Sequence, residues 1–282
     1  MNRPWLLIDA NFLCYKTFYS YGAGMEFEIG FMREVLHFMD KFNTEKVAFF
    51  FDLGKPKRRE IFDGYKSVRI QRKKQQQKVI PKEEAEALKD FRMRVRAFRL
   101  HYLEKMGFRN VYSQVGYEAD DLIASACLSL PKEEKAIIIT ADQDMYQCLR
   151  PNVSMYSPNS RVKTTVRSFK NKYGISPRKW KHVKAIAGCS SDSIPGIERV
   201  GEKTAIKYLR RELKETSKAY QSIGSDENNV LGRNIQIVAL PFPGTMDVCL
   251  KPDKKKKKEW NNLIECLGWD YAITPSGMKV RL

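Results

Sequence analysis

Histidine is scarce in this chain, with three in 282 residues, so neither a histidine-rich metal centre nor a histidine-based triad is expected. The six cysteines (Cys14, Cys127, Cys148, Cys189, Cys249 and Cys266) form no Cys-x-x-Cys pair. That spacing argues against a structural zinc site and fits reduced thiols in a cytosolic protein. No apolar run approaches the roughly 20 residues of a spanning helix, so no membrane partner is expected. The chain enters strand-like sequence at Trp5, so no signal peptide is expected either. Acidic residues are the minority: 33 Asp and Glu face 51 Lys and Arg, for a net charge of +18. Such an excess points to a polyanionic partner, and to nucleic acid once the membrane is set aside. With 43% hydrophobic residues the chain can bury a core. Metal chemistry, if present, must rest on oxygen ligands, which suit Mg²⁺ or Mn²⁺.

The first two thirds alternate short apolar runs with helical patterns, as a parallel α/β sheet requires. Trp5-Leu6-Leu7-Ile8, Val47 to Phe51 and Ala136 to Ile139 read as buried strands. Phe31, Val35, Phe38, Met39 and Phe42 repeat at helical spacing, as do Leu122, Ile123, Ala126, Cys127 and Leu130. Asp9, Asp52 and Asp142 each fall just past the end of a strand, the edge where open α/β sheets bind ligands. One such Asp is readily a helix cap or turn residue. Three at one edge, beside Glu118, Asp120 and Asp121 at a helix start, repel one another unless a cation sits among them. Asp144 and Asp192 complete a set of eight candidate metal-binding acids.

Two basic segments accompany these acids. Between about residues 55 and 105 lie Lys57-Arg58-Arg59, then Lys66, Arg69, Arg72, Lys73 and Lys74. A helix after Pro81 follows, with Leu88, Phe91, Val95 and Phe98 on one face and Lys89, Arg92, Arg96 and Arg99 beside them. Too few acids balance that basic face for an ordinary solvated helix, so it reads as a phosphate-contacting arm. After Tyr173, Ser176-Pro177 starts a helix that ends at Gly188. Gly196 and Gly201 then bracket a tight turn before a helix opening at Glu202-Lys203-Thr204, a geometry that lets backbone N–H groups approach a phosphate. The run Lys254 to Lys258 adds nonspecific attraction.

Ile8-Asp9-Ala10-Asn11, Phe51-Asp52, Tyr65-Lys66 with Arg69, Glu118-Ala119-Asp120-Asp121, Thr140-Ala141-Asp142-Gln143-Asp144 and Pro195-Gly196 with Gly201, Lys203 and Thr204 occur in that order. Together they resemble the 5′-nuclease family of flap endonucleases and 5′→3′ exonucleases, from Trp5 to at least Pro241. The segment Arg233 to Pro241 is most similar to bacteriophage members. The resemblance implies an α/β fold: a PIN-like parallel-sheet catalytic domain over residues 1–172 with a helical arch at about 55–105. A helix–three-turn–helix (helix-hairpin-helix-like) DNA-binding region over 173–282 completes it.

It further implies two Mg²⁺ ions, with Mn²⁺ as a substitute. Asp9, Asp52, Glu118 and Asp120 match positions serving the first ion; Asp121, Asp142 and Asp144 match those serving the second or its waters. Lys66 and Arg69 match residues steering the scissile phosphate, and Tyr65 a position that stacks on a nucleobase. The hairpin Gly196 to Gly201 matches a duplex grip that often carries K⁺. Implied partners are DNA with 5′ flaps, free 5′ ends or RNA primers, together with replication proteins. The implied protein is monomeric and cytoplasmic, in the host cell if phage-encoded. One departure stands out: the family's Gly-Asp-x-x-Asp reads Gly188-Cys189-Ser190-Ser191-Asp192 here, placing a thiol where a second-ion ligand belongs. The expected activity is structure-selective cleavage near 5′ junctions. The alternatives are RNA-primer removal as the main role, or a non-catalytic branched-DNA-binding protein with a decayed second metal site.

Overall fold

Short runs of β-branched and aromatic residues pair side by side as β1 (Trp5–Asp9), β2 (Val47–Phe51), β3 (Val111–Ser113), β4 (Ala136–Ile139) and β5 (Val153–Ser157), all parallel; β6 (Val162–Thr164) closes one edge antiparallel to β5. The spatial order is β3-β2-β1-β4-β5-β6. The computed structural model describes residues 3–21, 27–79, 81–226, 229–254, 256–266, 268, 271–273 and 279–281. The three strands read from sequence are the central ones, and every residue of β2 and β4 is buried. Helices cover both faces of such strands, which is why they lack polar alternation.

The pleat divides the core. Leu7, Ala48, Phe50 and Ile138 point to one face, and Leu6, Ile8, Phe49 and Ile137 to the other. The second face is covered by α1 (Ala10–Tyr21) and α2 (Phe27–Lys41), whose Phe31, Val35, Phe38 and Met39 are buried as their spacing predicts. Phe42 lies just past the helix end and packs its ring edge-on against Tyr156.

Between β2 and β3 the chain leaves the sheet as α3 (Arg58–Ile61), α4 (Ser67–Val79) and α5 (Lys82–Ala97), returning through a π turn (Phe98–Tyr102) and α6 (Leu103–Lys105). Phe91 and Phe98 anchor this excursion against Phe27. Arg94 adds a bidentate pair with Glu28 of α2.

α7 (Ala119–Ser129) packs on the first face. After α8 (Val166–Tyr173), Ser176 occupies the cap position of a 3₁₀ turn (Pro177–Lys179), with Pro177 in the first turn as expected; the hydroxyl itself makes no cap bond. α9 (Trp180–Ala187) leads into a hairpin of β7 (Gly188–Cys189) and β8 (Ile194–Pro195), then α10 (Glu202–Leu209), α11 (Lys218–Ser225) and α12 (Val230–Val238). α13 (Lys257–Cys266) and a second hairpin, β9 (Tyr271–Ile273) with β10 (Lys279–Arg281), follow.

One apolar cluster runs from Trp5 and Phe50 through Phe169 and Trp180 to Val200 and Ala205, so α9 and α10 are seated on the same core as the sheet. The segment around Cys249 to Lys251 covers the β3 side of the sheet. Fully buried Asn110 exchanges hydrogen bonds with the Lys251 backbone (2.6 and 2.8 Å), and the Tyr112 hydroxyl donates to the Cys249 carbonyl (2.7 Å). Covering an edge in this way removes a template for wrong strand pairing.

Candidate metal centre

Because β1, β2 and β4 are parallel, the acids that follow them share one edge. Asp9, Asp52, Glu118, Asp120 and Asp142 line a single cleft of ≈ 750 Å³. Local bonds fix Asp9, Asp52 and Asp142. Asp9 accepts from Phe12 N–H (3.0 Å) and Thr140 Oγ1 (3.1 Å), and Asp52 accepts from Ala119 N–H at the start of α7 (2.8 Å). Thr140 Oγ1 also accepts from Asp142 N–H (3.2 Å), and the Asp142 carboxylate accepts from Asp144 N–H (2.8 Å).

The charges in this cleft are costly as they stand. Burial, reinforced by Asp52, pushes the Asp9 carboxyl up to about 7. Burial, then Asp142 and Asp9, raises Asp120 well above its ordinary value. Asp52 and Asp192 are also raised, chiefly by burial. Glu118 goes the other way: burial would raise it, but Lys66 and Arg58 outweigh that and lower it. Its Oε1 receives Lys66 Nζ (2.5 Å) and its Oε2 the Tyr65 hydroxyl (2.6 Å). A crowd of oxygen donors that resists ionisation is the setting a hard divalent cation stabilises, and the donors in this cleft fit Mg²⁺ or Mn²⁺.

These shifts set a testable sign. Carboxyls raised in the folded state bind protons that the unfolded chain has released, so they favour folding at low pH, and that contribution is lost as pH rises from about 4 through 7. The metal-free protein is therefore expected to melt at falling temperature between pH 5 and 8. Glu118, being lowered, titrates below this window. A divalent ion held by these acids would need them ionised, so its stabilisation would grow over the same range. Calorimetric scans with chelator and with Mg²⁺ check both trends; a flat profile in chelator would contradict them.

Asp144 and Asp192 stand apart from the cleft. With Lys66, Glu118 and Asp120 they line an adjoining cavity of ≈ 20 Å³. Asp144 lies 3.2 Å from Lys184 Nζ, and Asp192 lies 3.7 Å from Lys66 Nζ. Lys66, Glu118 and Asp120 line both spaces and so divide one group of acids from the other.

Asp121 corrects the expectation. It is fully buried and lines neither space, receiving Arg58 Nη1 and Nη2 at 2.6 Å each and Phe242 N–H at 2.8 Å. It also caps α7 by accepting from Glu118 N–H (3.2 Å). Successive helix residues point about 100° apart, and of the two only Asp120 lines the cleft. Tyr65 is the second correction: 4% exposed, with its hydroxyl given to Glu118, it has no face free for a base. The exposed ring on the cleft wall is Tyr19, 67% exposed and stacked on Tyr15 at 6.4 Å. The helical spacing of Tyr15 and Tyr19 after Asp9 was the available signal.

Gly196 does approach backbone closely, but the neighbour is Ala187, whose carbonyl carbon would lie 2.3 Å from an added Cβ. Gly188, at φ +72°, faces it across the β7–β8 hairpin. Gly201 is the glycine that borders open space, beside exposed Lys203 and half-buried Thr204. On the arch, Arg69, Arg72, Arg92 and Arg96 are exposed and Arg99 is half-buried; the Lys73 and Lys74 side chains lie outside the described residues. Lys66 takes the left-handed conformation (φ +57°) at the arch base, where its N–H bonds the Asp192 carbonyl (2.7 Å). Sequence reading placed Arg58 only in the basic run of the arch and did not single out Lys184.

The site thus combines a mostly parallel sheet, carboxylates along its carboxyl edge and a helical excursion between β2 and β3. The model of the 5′-3′ exonuclease N-terminal, resolvase-like domain matches residues 4–174, and the chain belongs to that family. The 5′-3′ exonuclease of Buchnera aphidicola subsp. Schizaphis graminum is 26% identical over 265 residues, 90% of this chain and 82% of its own. The thermostable DNA polymerase I of Thermus thermophilus is 29% identical over 214 residues, 73% of this chain. The chain spans about a quarter of that polymerase's length. Among solved structures, the bacteriophage T5 flap endonuclease in a pseudo-enzyme–product complex with DNA and metal ions aligns with a TM-score of 0.72 at 22% identity, over 85% of this chain and 90% of that one. The catalytic core of Rad2 with DNA substrate aligns at 0.54 and 15% identity, over 95% and 88%. No helix among the described residues is long and apolar enough to cross a membrane.

Proposed function

We propose that the chain is a structure-selective 5′ nuclease, acting as 5′→3′ exonuclease and flap endonuclease during DNA replication. It cuts near the junction of a 5′ single strand with duplex, removing flaps or primers. The observation that carries this reading is the convergence of five carboxylates in one cleft beneath an arch with exposed arginines. Asp9, Asp52, Glu118, Asp120 and Asp142 would hold the hard ion, Mg²⁺ or Mn²⁺. When bound, such ions activate a water and stabilise the leaving oxygen. Lys66 and Arg69, on the cleft wall, orient the scissile phosphate. Arg72, Arg92, Arg96 and Arg99 neutralise the single strand's phosphates. Residues 173–282 grip the duplex through Gly201, Lys203 and Thr204, with K⁺ as a candidate bridging ion. The protein acts as a monomer in the cytoplasm, in contact with the replication proteins that generate its substrate.

Cleavage of a 5′-labelled flap with Mg²⁺, with the cut mapped, tests the assignment. Cuts within a nucleotide or two of the junction are expected. Absence of cleavage with either Mg²⁺ or Mn²⁺ contradicts the proposal.

Tyr19 takes the stacking role first expected of Tyr65. Tyr19→Ala is expected to weaken single-strand binding by about 1–3 kcal/mol, the usual worth of one stacked base, whereas Tyr19→Phe binds normally. Fluorescence anisotropy with a short 5′ overhang, in chelator, measures both.

A further inference from the structure

We infer that the Asp144–Cys189–Asp192 cluster binds a thiophilic divalent ion of the zinc class and not Mg²⁺. The inference deepens the reading of the chain as a metal-dependent nuclease by giving its two ion positions different chemistry.

Ligand atoms of Asp144, Cys189 and Asp192 all lie within 4.8 Å of one another. They come from two segments that are separately held in place. Asp144 follows β4, with its N–H bonded to the Asp142 carboxylate (2.8 Å). Cys189 and Asp192 sit on the β7–β8 hairpin, where the Gly188–Gly196 contact admits no side chain. The Asp192 carbonyl is tied to Lys66 N–H (2.7 Å), and the Ser193 hydroxyl accepts from Val68 N–H (3.1 Å). The hairpin is thus fastened to the base of the arch, and its donors face Asp144.

The donor set does not fit Mg²⁺. That ion takes near-octahedral oxygen and sheds water reluctantly, and a thiolate is too soft a ligand for it. Two carboxylates and one thiolate do suit zinc-class ions, which accept three protein ligands and leave a fourth position open. Tetrahedral bonds of about 2.0–2.3 Å place neighbouring ligands about 3.5 Å apart. Cys189 Sγ and Asp192 Oδ2 are 3.8 Å apart. Lys184 at 3.2 Å from Asp144 and Lys66 at 3.7 Å from Asp192 supply the local positive charge. On binding, the Cys189 S–H bond breaks, its proton passes to solvent, and the sulfur lone pair forms the bond to the ion, with no change of oxidation state. The oxygen-only cleft beyond Lys66 and Glu118 keeps its preference for Mg²⁺ or Mn²⁺.

Cobalt(II) is the probe, because it follows zinc into thiolate sites and reports them by sulfur-to-cobalt charge-transfer absorption. Titration of the full-length protein is expected to give this band at one equivalent. The band should be absent in Cys189→Ser and in Cys189→Asp, so either variant suffices if the other fails to fold. Zn²⁺ should displace the cobalt at a concentration at least about 100-fold below that of Mg²⁺. Three results overturn the inference: no band in the native protein, a band that survives both substitutions, or displacement by Mg²⁺ as readily as by Zn²⁺. The readout is independent of cleavage. A missing band with normal flap cutting sinks the soft-ion site alone, whereas a Cys189-dependent band with no cutting under any ion sinks the nuclease reading alone.

Discussion

Asp120→Ala is expected to lower flap cleavage in Mg²⁺ by on the order of 10³-fold, with DNA affinity changed by only a few-fold. Asp120 borders both the main cleft and the smaller cavity behind it, so its carboxylate is shared ground between the two groups of acids. It is also crowded by Asp142, Asp9 and Glu118, which is where a cation relieves the most repulsion. Losing such a ligand forfeits several kcal/mol of charge stabilisation, and each 1.36 kcal/mol is about tenfold in rate. The basic arch and the hairpin are untouched, so binding persists. A second consequence has the opposite sign: removing a carboxylate that resists ionisation should raise the melting temperature of the metal-free protein at pH 8. Single-turnover cleavage, filter binding and calorimetry measure the three quantities. Activity within tenfold of the native protein would exclude Asp120 from the centre.

Asp121→Ala, one residue away, is expected to behave in the reverse manner. Its carboxylate makes a bidentate pair with Arg58, a residue 4% exposed, and also accepts Phe242 N–H. Arg58 in turn donates through Nε to the Ile237 carbonyl (2.7 Å) and lies 3.3 Å from Glu118 through Nη1. One ion pair therefore ties the base of the arch, the start of α7 and the segment after α12. Deleting the acid leaves a buried guanidinium half paired and an amide without its acceptor, a loss of about 3–5 kcal/mol. Asp121→Asn keeps the acceptor oxygen and should cost less. Denaturant midpoints measure the loss, and equilibrium dialysis should show unchanged metal stoichiometry. If stability holds while one bound ion is lost, Asp121 is a ligand and the buried pair is incidental.

These neighbours show where reading along the chain stops. Sequence located the strands ending at Asp9, Phe51 and Ile139 because strands covered on both faces are continuous apolar runs, and the acids that follow must lie at one edge. It missed β3 and β6, which are only three residues long, and β5, whose apolar run is broken by Ser154 and Ser157. It could not tell Asp120 from Asp121, since the direction of a helix's first turn is set by what packs against it. It assigned base stacking to Tyr65, whose ring the fold buries, and passed over Tyr19, which the fold exposes.

The chain by itself determined the α/β class, the acids at the carboxyl edge, the basic arch and the presence of a thiol among the candidate metal-binding positions. Each of these is a matter of local pattern or composition. Tertiary structure alone decided which acids share a space, that Arg58 withdraws Asp121 from the centre, and that Cys189 meets Asp144 and Asp192 within reach of one ion. The physical reason is common to all three. Electrostatic and coordination chemistry depend on distances of a few ångströms between residues far apart in sequence, and only packing sets those distances.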